Sequence, residues 1–453
     1  MADLNAIFKA YDIRGTVPDQ LDADVCRAIG GAFAGFVRSA GGGQSTASRV
    51  LVARDMRPSG VDLTEAFAAG VTDQGLDVVD LGMASTDLIY FASGRLDAPG
   101  AMFTASHNPA QYNGIKFCLA GAKPVGEDTG LQEIKASVSA GVPAGPGGGA
   151  VTQQDMLGEF ADHVRSFVDA AALRPVKVVA DTANGMGGLV APKVFERLPF
   201  DVEIMYGELD GTFPNHPADP IQPENQKDLQ ARVLETGADV GLAFDGDADR
   251  VFLVDERAEL LSGSTTTAMV AARMLEREPG ATILHNLICS RAVPEIVRER
   301  GGTPVRTRVG HSFIKQVMAD TGAAFGGEHS GHYYFRDNYR ADSGMIAALI
   351  VLEMLSKASS PLSELRRPFE RYAASGEINV EVDDQAAVIE RVADVYGDAE
   401  QDRLDGLTVG LGEWWFNLRP SNTEPLLRLN LEARTRQECD QHVSEVLDIM
   451  KGR

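Results

Sequence analysis

Three times along this chain a short, largely apolar run is followed by a polar turn and then by a helical pattern. The runs begin at Val50, Val176 and Ala281. Strands that alternate with helices must share a sheet whose faces the helices cover, so most of the chain reads as α/β. In the first unit Val50 to Ala53 is a buried strand, Leu63 to Val71 a helix, and Val78 to Leu81 and Ala101 to Thr104 are further strands. In the second, Val176 to Asp181 is a strand, a helix follows Gly185-Met186-Gly187-Gly188, and Ala238 to Phe244 is another strand. The third starts near Ser262, with strands at Ala281 to Leu287 and Thr303 to Val309. Identity between these units is too low to define a repeat. From about Ser375 the pattern changes. Ile378 to Val382 alternates, a helix follows, Trp414 to Leu431 reads as antiparallel strands around a polar loop, and a last helix closes an α+β segment. The Gly/Pro tract at residues 140–150 is a connection between domains or a flexible surface loop near one.

Charge narrows the partners. The 453 residues carry 42 Lys and Arg against 65 Asp and Glu, a net charge of −23. Nucleic acid and anionic membrane surfaces are therefore not expected as partners, although a few convergent cations in a cleft can still hold a small phosphorylated molecule. The cysteines, Cys26, Cys118, Cys289 and Cys439, are far apart and form no C-x-x-C pair, which fits a reducing cytosol. No basic segment followed by a long apolar run opens the sequence, so no signal peptide is expected. The apolar run Met345 to Leu352 is too short to span a bilayer. A cytoplasmic protein is expected.

Four loops carry the chemistry. Thr104-Ala105-Ser106-His107-Asn108-Pro109 leaves the end of a predicted strand, with Lys116 ten residues beyond the serine. Ser106 is a nucleophile if a base or cation activates it, and otherwise part of an ordinary turn. His107 can position the loop, bind phosphate or move a proton. Asp245-Gly246-Asp247-Ala248-Asp249-Arg250 follows an apolar strand and alternates three carboxylates with small residues. Oxygen ligands of this kind suit Mg²⁺ or Mn²⁺, the alternative being a solvated acidic turn. Gly326 to His332 combines close backbone approach with Glu328 and Ser330, an acceptor and a donor suited to sugar hydroxyls. Arg419-Pro420-Ser421-Asn422-Thr423-Glu424-Pro425, with Arg428 beyond, can cradle a phosphate. Tyr11-Asp12-Ile13-Arg14-Gly15 sets an arginine beside a glycine turn, and Val309-Gly310-His311-Ser312 ends a strand and opens a helix, a natural anion site. No Walker A sequence and no G-x-G-x-x-G is present, so neither ATP nor NAD chemistry has support.

Together, Tyr11 to Gly15, Thr104 to Pro109, Asp245 to Arg250, Gly327 to His332 and Arg419 to Pro425 resemble the five signatures of the α-D-phosphohexomutases, in that family's order and spacing and across essentially the whole chain. Within the family the sequence is most similar to the bacterial phosphomannomutases and phosphomannomutase/phosphoglucomutases, especially over Gly327 to Asp337. The resemblance implies a four-domain, heart-shaped enzyme, with three related α/β domains (1–150, 151–255 and 256–370) and a C-terminal α+β domain (371–453) around a central cleft. It implies that Ser106 is phosphorylated and that one Mg²⁺ per chain is held by Asp245, Asp247, Asp249 and the phosphoserine. Phosphate then moves to a hexose phosphate through a hexose 1,6-bisphosphate, which serves as intermediate and activator. Arg14, Lys116 and His107 would surround the transferring group, with Arg250 near the metal. Glu328 and Ser330 would bind sugar hydroxyls, and Tyr11, His311 and His332 would meet substrate, either histidine being able to move a proton. Arg419, Ser421, Asn422, Thr423 and Arg428 would hold the phosphate that is not reacting.

The expected reaction is interconversion of mannose 6-phosphate and mannose 1-phosphate, feeding GDP-mannose synthesis, in a monomer or weak dimer. Dual mannose/glucose action is the near alternative, and a metal-dependent phosphohydrolase or a silent sugar-phosphate binder lies further off. Several positions depart from the family pattern. His329 stands where many relatives have Met and Ala248 where many have Gly. The segment Asn286 to Arg291 lacks the lysine that some dual-specificity members place on the sugar, Ile288 standing near that place. Asn422, and Gln111-Tyr112 before Asn113, argue against the phosphoglucosamine branch.

Overall fold

The structure is a computed structural model and describes residues 3–39, 47–420 and 426–452, the side chain of His311 excepted. Its strands form four sheets, and the fold is α/β. The first runs, edge to edge, through Ile13–Thr16, Tyr112–Leu119, Gly100–Phe103, Arg49–Arg54, Asp77–Met83 and Val151–Gln153. It is mixed: Gly100–Phe103 pairs parallel with Arg49–Arg54 and antiparallel with Tyr112–Leu119. The second orders Leu260–Leu261, Val251–Asp255, Val240–Phe244, Lys177–Asp181 and Asp201–Met205. These two sheets thus take strands from a few residues beyond the junctions read at 150 and 255. The third contains Thr303–Thr307, Thr282–Asn286, Phe325–Gly327 and Tyr333–Phe335.

The last sheet is antiparallel throughout, from Ala373–Glu381 to Glu400–Asp402. Its core, built on residues such as Phe416, Leu429 and Val392, is separate, whereas one apolar cluster runs continuously from Leu51 through Val178 to Ile350. The first three sheets are thus welded by shared burial and the fourth is not.

The Gly/Pro tract does not swing free between units. Gly147 N–H donates to Asp73 O at 2.9 Å, and Gln74 Nε2 donates to Pro143 O at 2.8 Å, laying the tract across the first unit's helices. The run at Met345 belongs to helix Gly344–Lys357, capped by the Ser343 hydroxyl and apolar on all sides because all sides are packed. Its Glu353 is paired with Arg273, Arg277 and Lys357. No single helix among the described residues is long and apolar enough to cross a membrane.

Ser343 also ties the third unit to the first, donating to Asp87 Oδ2 at 2.6 Å, while the Ser85 hydroxyl donates to the other oxygen. Burial pushes the Asp87 carboxyl up to about 7 against these two hydroxyls. The folded value lies above the unfolded one, so the stability this group lends is complete below about pH 4 and lost as pH rises to about 7. The shift corresponds to about 4 kcal/mol at most. Asp87→Asn is expected to remove this part of the decline, as read by urea unfolding of both proteins at pH 4 to 8; equal slopes would refute it.

Candidate active site

Strand Gly100–Phe103 delivers the serine loop, and strand Val240–Phe244 delivers the aspartate loop. Both end at one place, as α/β topology favours. Ser106 is nearly buried and lies at φ 50°, in the left-handed region, with its backbone N–H donating to Thr104 Oγ1 at 2.9 Å. Its Oγ donates to Asp245 Oδ2 at 2.8 Å and lies 3.3 Å from His107 Nδ1. The two loops come this close because residue 246 is glycine: a Cβ there would stand 2.5 Å from Ser106 O. Ala248 also adopts a left-handed φ, of 61°, at a position where glycine would be unstrained.

Asp245, Asp247 and Asp249 are buried, and each offers an oxygen within 4.8 Å of the others'. Asp247 Oδ2 accepts from Thr86 Oγ1 at 2.6 Å and Lys116 Nζ at 2.9 Å, and Lys116 reaches Asp249 Oδ2 at 2.8 Å. Arg250 Nε donates to Asp245 at 2.9 Å. Three carboxylates thus face two cations. The second oxygens of Asp247 and Asp249 are buried with no hydrogen-bond partner, a costly arrangement that a hard cation would satisfy. The acidic triad can hold a metal.

Electrostatics follow from this crowding. Burial raises the Asp245 carboxyl well above its ordinary range, reinforced by Asp247 and Asp249 and opposed by Arg250. Burial alone would raise Asp247 too, but Lys116, Thr86 and Arg250 hold it far below. Burial acts against the Lys116 ammonium, yet Asp247 and Asp249 more than offset it and raise it well above its usual value. Burial, with the guanidinium groups of Arg250 and Arg14, pushes the His107 imidazole well down, against Asp247. Arg14 joins from the first sheet's edge, donating to Asn108 Oδ1 and, through Nε, to Asp12 at 2.8 Å.

The glycine-rich loop closes the other side. Val251 N–H donates to Gly331 O at 3.3 Å, pairing it with the aspartate loop. His332 Nε2 lies 3.6 Å from Asp249, and its Nδ1 lies 3.1 Å from Ser330 Oγ. Glu328 is buried and accepts from Tyr334 OH at 2.7 Å, Gly310 N–H at 3.2 Å and Asn286 Nδ2 at 3.3 Å, so its direction is set. His329, between them, instead meets Ser264 Oγ at 3.2 Å. Tyr11 OH reaches Val309 O at 3.3 Å. Arg419 and Arg428 are cross-strand partners that share Glu377, at 3.5 and 3.6 Å. Ser421, Asn422, Thr423 and the His311 side chain lie outside the described residues.

The structure therefore gathers Ser106, His107, Lys116, Arg14, the three aspartates, Arg250 and His332 at one place. It adds residues that sequence reasoning missed: Asp55, Arg57, Thr86, Lys315 and Asp342. Lys315, buried, pairs with Asp342 at 2.8 Å and sits 3.8 Å from the centre of the Tyr90 ring. Only Asp55-Met56-Arg57 had a visible signal, a charged pair directly after the strand at Val50.

Four family descriptions match in order: phosphoglucomutase/phosphomannomutase alpha/beta/alpha domain I over residues 5–142, domain II over 158–259, domain III over 262–372, and the C-terminal domain over 377–449. This chain belongs to the phosphoglucomutase/phosphomannomutase family. It is an enzyme of the isomerase type, a phosphohexomutase. A phosphomannomutase of Salmonella typhimurium is 39% identical, over 94% of both chains. A phosphomannomutase/phosphoglucomutase of Pseudomonas syringae pathovar tomato is 36% identical, over 96% of this chain and 93% of its own. The crystal structure of a phosphoglucomutase/phosphomannomutase family protein from Burkholderia thailandensis superposes with a TM-score of 0.90 at 33% identity, covering 100% of this chain and 98% of that one. In this mutase, accordingly, one serine and three carboxylates from different sheets share a single buried site.

Proposed function

We propose that this phosphohexomutase is a phosphomannomutase, interconverting mannose 6-phosphate and mannose 1-phosphate through a phosphorylated Ser106. The observation that carries the chemistry is the 2.8 Å bond from Ser106 Oγ to Asp245 inside the three converging carboxylates. For the sugar, support comes from the Salmonella relative's name and from the segment Asn286 to Arg291, which has no lysine.

In the proposed cycle the bond from Ser106 Oγ to phosphorus breaks as a free hexose hydroxyl attacks, the hydroxyl proton passing to His332 or His311 while the departing Oγ takes up a proton from the Lys116 side, to be given back when Ser106 is phosphorylated again. The resulting hexose 1,6-bisphosphate turns over, its other phosphate returns to Ser106 Oγ, and the isomeric monophosphate leaves. Asp245, Asp247, Asp249 and the Ser106 phosphate would hold Mg²⁺, which when bound supplies positive charge against the transferring group. An N-acetylphosphoglucosamine mutase from Aspergillus fumigatus, 15% identical with a TM-score of 0.65, is described in complex with GlcNAc-6P and magnesium, which supports the choice of ion. Arg14 and Lys116 donate to the phosphoryl oxygens, and Glu328 and Ser330 orient the sugar by its hydroxyls. Arg419 and Arg428, with Ser421, Asn422 and Thr423, hold the idle phosphate. Work of this kind is positioning and charge neutralisation. Four buried thiols, none in a disulfide, support a reducing cytoplasm.

The deciding measurement is kcat/KM for mannose 1-phosphate against glucose 1-phosphate. A preference for mannose of at least about tenfold is expected, within what differential contacts to a sugar hydroxyl supply. Equal values would instead establish the dual specificity named for the Pseudomonas relative, and release of free phosphate without isomer would make the protein a phosphohydrolase.

A further inference from the structure

Among the described residues Arg57 is one of the largest fully buried side chains. Asp55 holds it in place, accepting from its backbone N–H at 2.9 Å and its Nε at 3.1 Å. The two remaining guanidinium nitrogens donate to four backbone carbonyls, all in or beside the serine loop. Nη2 reaches Ser106 O at 3.0 Å and Asn108 O at 2.6 Å, and Nη1 reaches Pro109 O at 2.8 Å and Tyr112 O at 2.9 Å. From the second unit, the Phe213 ring covers the guanidinium with 5.2 Å to its centre, and Gly211 lies so close that a Cβ would stand 2.6 Å from Arg57 Cα. Burying a permanent charge to bind main-chain oxygens is expensive unless the loop it holds must not move. This loop carries Ser106 at a left-handed φ, a conformation that persists in a non-glycine residue only when its surroundings over-determine it.

We infer that Arg57 is a positioning residue for phosphoryl transfer: its fork ties the serine loop down from behind, so that Ser106 Oγ is presented to the aspartates in one orientation. All four hydrogen bonds from the guanidinium to this loop end on main-chain carbonyls, so its hold on Ser106 runs through the backbone. Lysine cannot replace it, because one ammonium offers three donors from a single point where the fork spans four carbonyls. The sugar and the idle phosphate are held by other units, so loss of the fork should show in turnover and not in substrate affinity.

The inference rests on Ser106 being the phosphorylated residue, and the experiment separates the two. Full-length Arg57→Lys is compared with the native enzyme in steady-state turnover of mannose 1-phosphate, with thermal melting as a control for folding. The kcat is expected to fall about a hundredfold, a cost that a misplacement near 1 Å can carry, with KM within about threefold. A folded R57K with native kcat, or one whose loss lies in KM, would overturn the inference. Should R57K not fold, Asp55→Asn serves: it keeps the shape and removes the charge behind Nε. About a tenfold fall in kcat is expected from the looser fork, and native kcat overturns it. Ser106→Ala run alongside tells the failures apart, since an active S106A removes the nucleophile reading itself, whatever R57K does.

Discussion

Ser106→Ala is expected to lower turnover at least about 10⁴-fold while leaving affinity for hexose phosphate within a few-fold. The hydroxyl is the only group removed, and its Oγ is the atom that donates to Asp245 at 2.8 Å. Alanine tolerates the left-handed φ of 50° as well as serine does, and the Thr104 Oγ1 contact to the backbone N–H of residue 106 is untouched, so the loop should stay in place. Hexose phosphate is held, in the proposed cycle, by Glu328 and the arginines of the last sheet. Steady-state kinetics and calorimetric titration separate the two effects. Activity within tenfold of native would sink the assignment of Ser106. Intact-mass measurement should show one phosphate on the native chain and none on S106A.

The second large effect concerns the aspartates. Thorough chelation with EDTA is expected to depress turnover by at least about 10³-fold, with Mg²⁺ restoring it, because charge stabilisation by a metal supplies several kcal/mol. Without a metal ion, three carboxylates are offset by Lys116 and Arg250, and a negative phosphoryl group must approach them. Persistent activity in excess chelator would argue that Asp245, Asp247 and Asp249 form an ion-pair network and no more. The buried oxygens of Asp247 and Asp249 that lack a hydrogen bond argue for the metal ion.

Much of this was legible residue by residue. The strands at Val50, Val78, Val176, Ala238 and Ala281 could be read because burial on both faces leaves near-continuous apolar runs. The serine and aspartate loops could be read because each follows such a strand directly. Other elements left weaker marks. Strands Glu400–Asp402 and Leu407–Gly410 leave little pattern in the sequence because they are short and lie at the outer side of the last sheet. Val151–Gln153 is exposed along its length, so no apolar pattern announces it. His329 carries no mark that it would turn to Ser264 while its neighbours Glu328 and Ser330 face Tyr334 and His332.

The sequence by itself determined the α/β units, the change of character near Ser375, and the residue types able to move a phosphate. It did so through local physics: apolar runs, turn glycines and alternating carboxylates act over a few residues. Only the tertiary structure decided which groups meet. Ser106 finds Asp245 across 139 positions, Lys116 finds Asp249 across 133, Thr86 finds Asp247 across 161, and Arg57 reaches the serine loop across about fifty. Such pairings depend on which sheet edges and loops pack together, and that is set by burial summed over whole units rather than by any one segment's pattern.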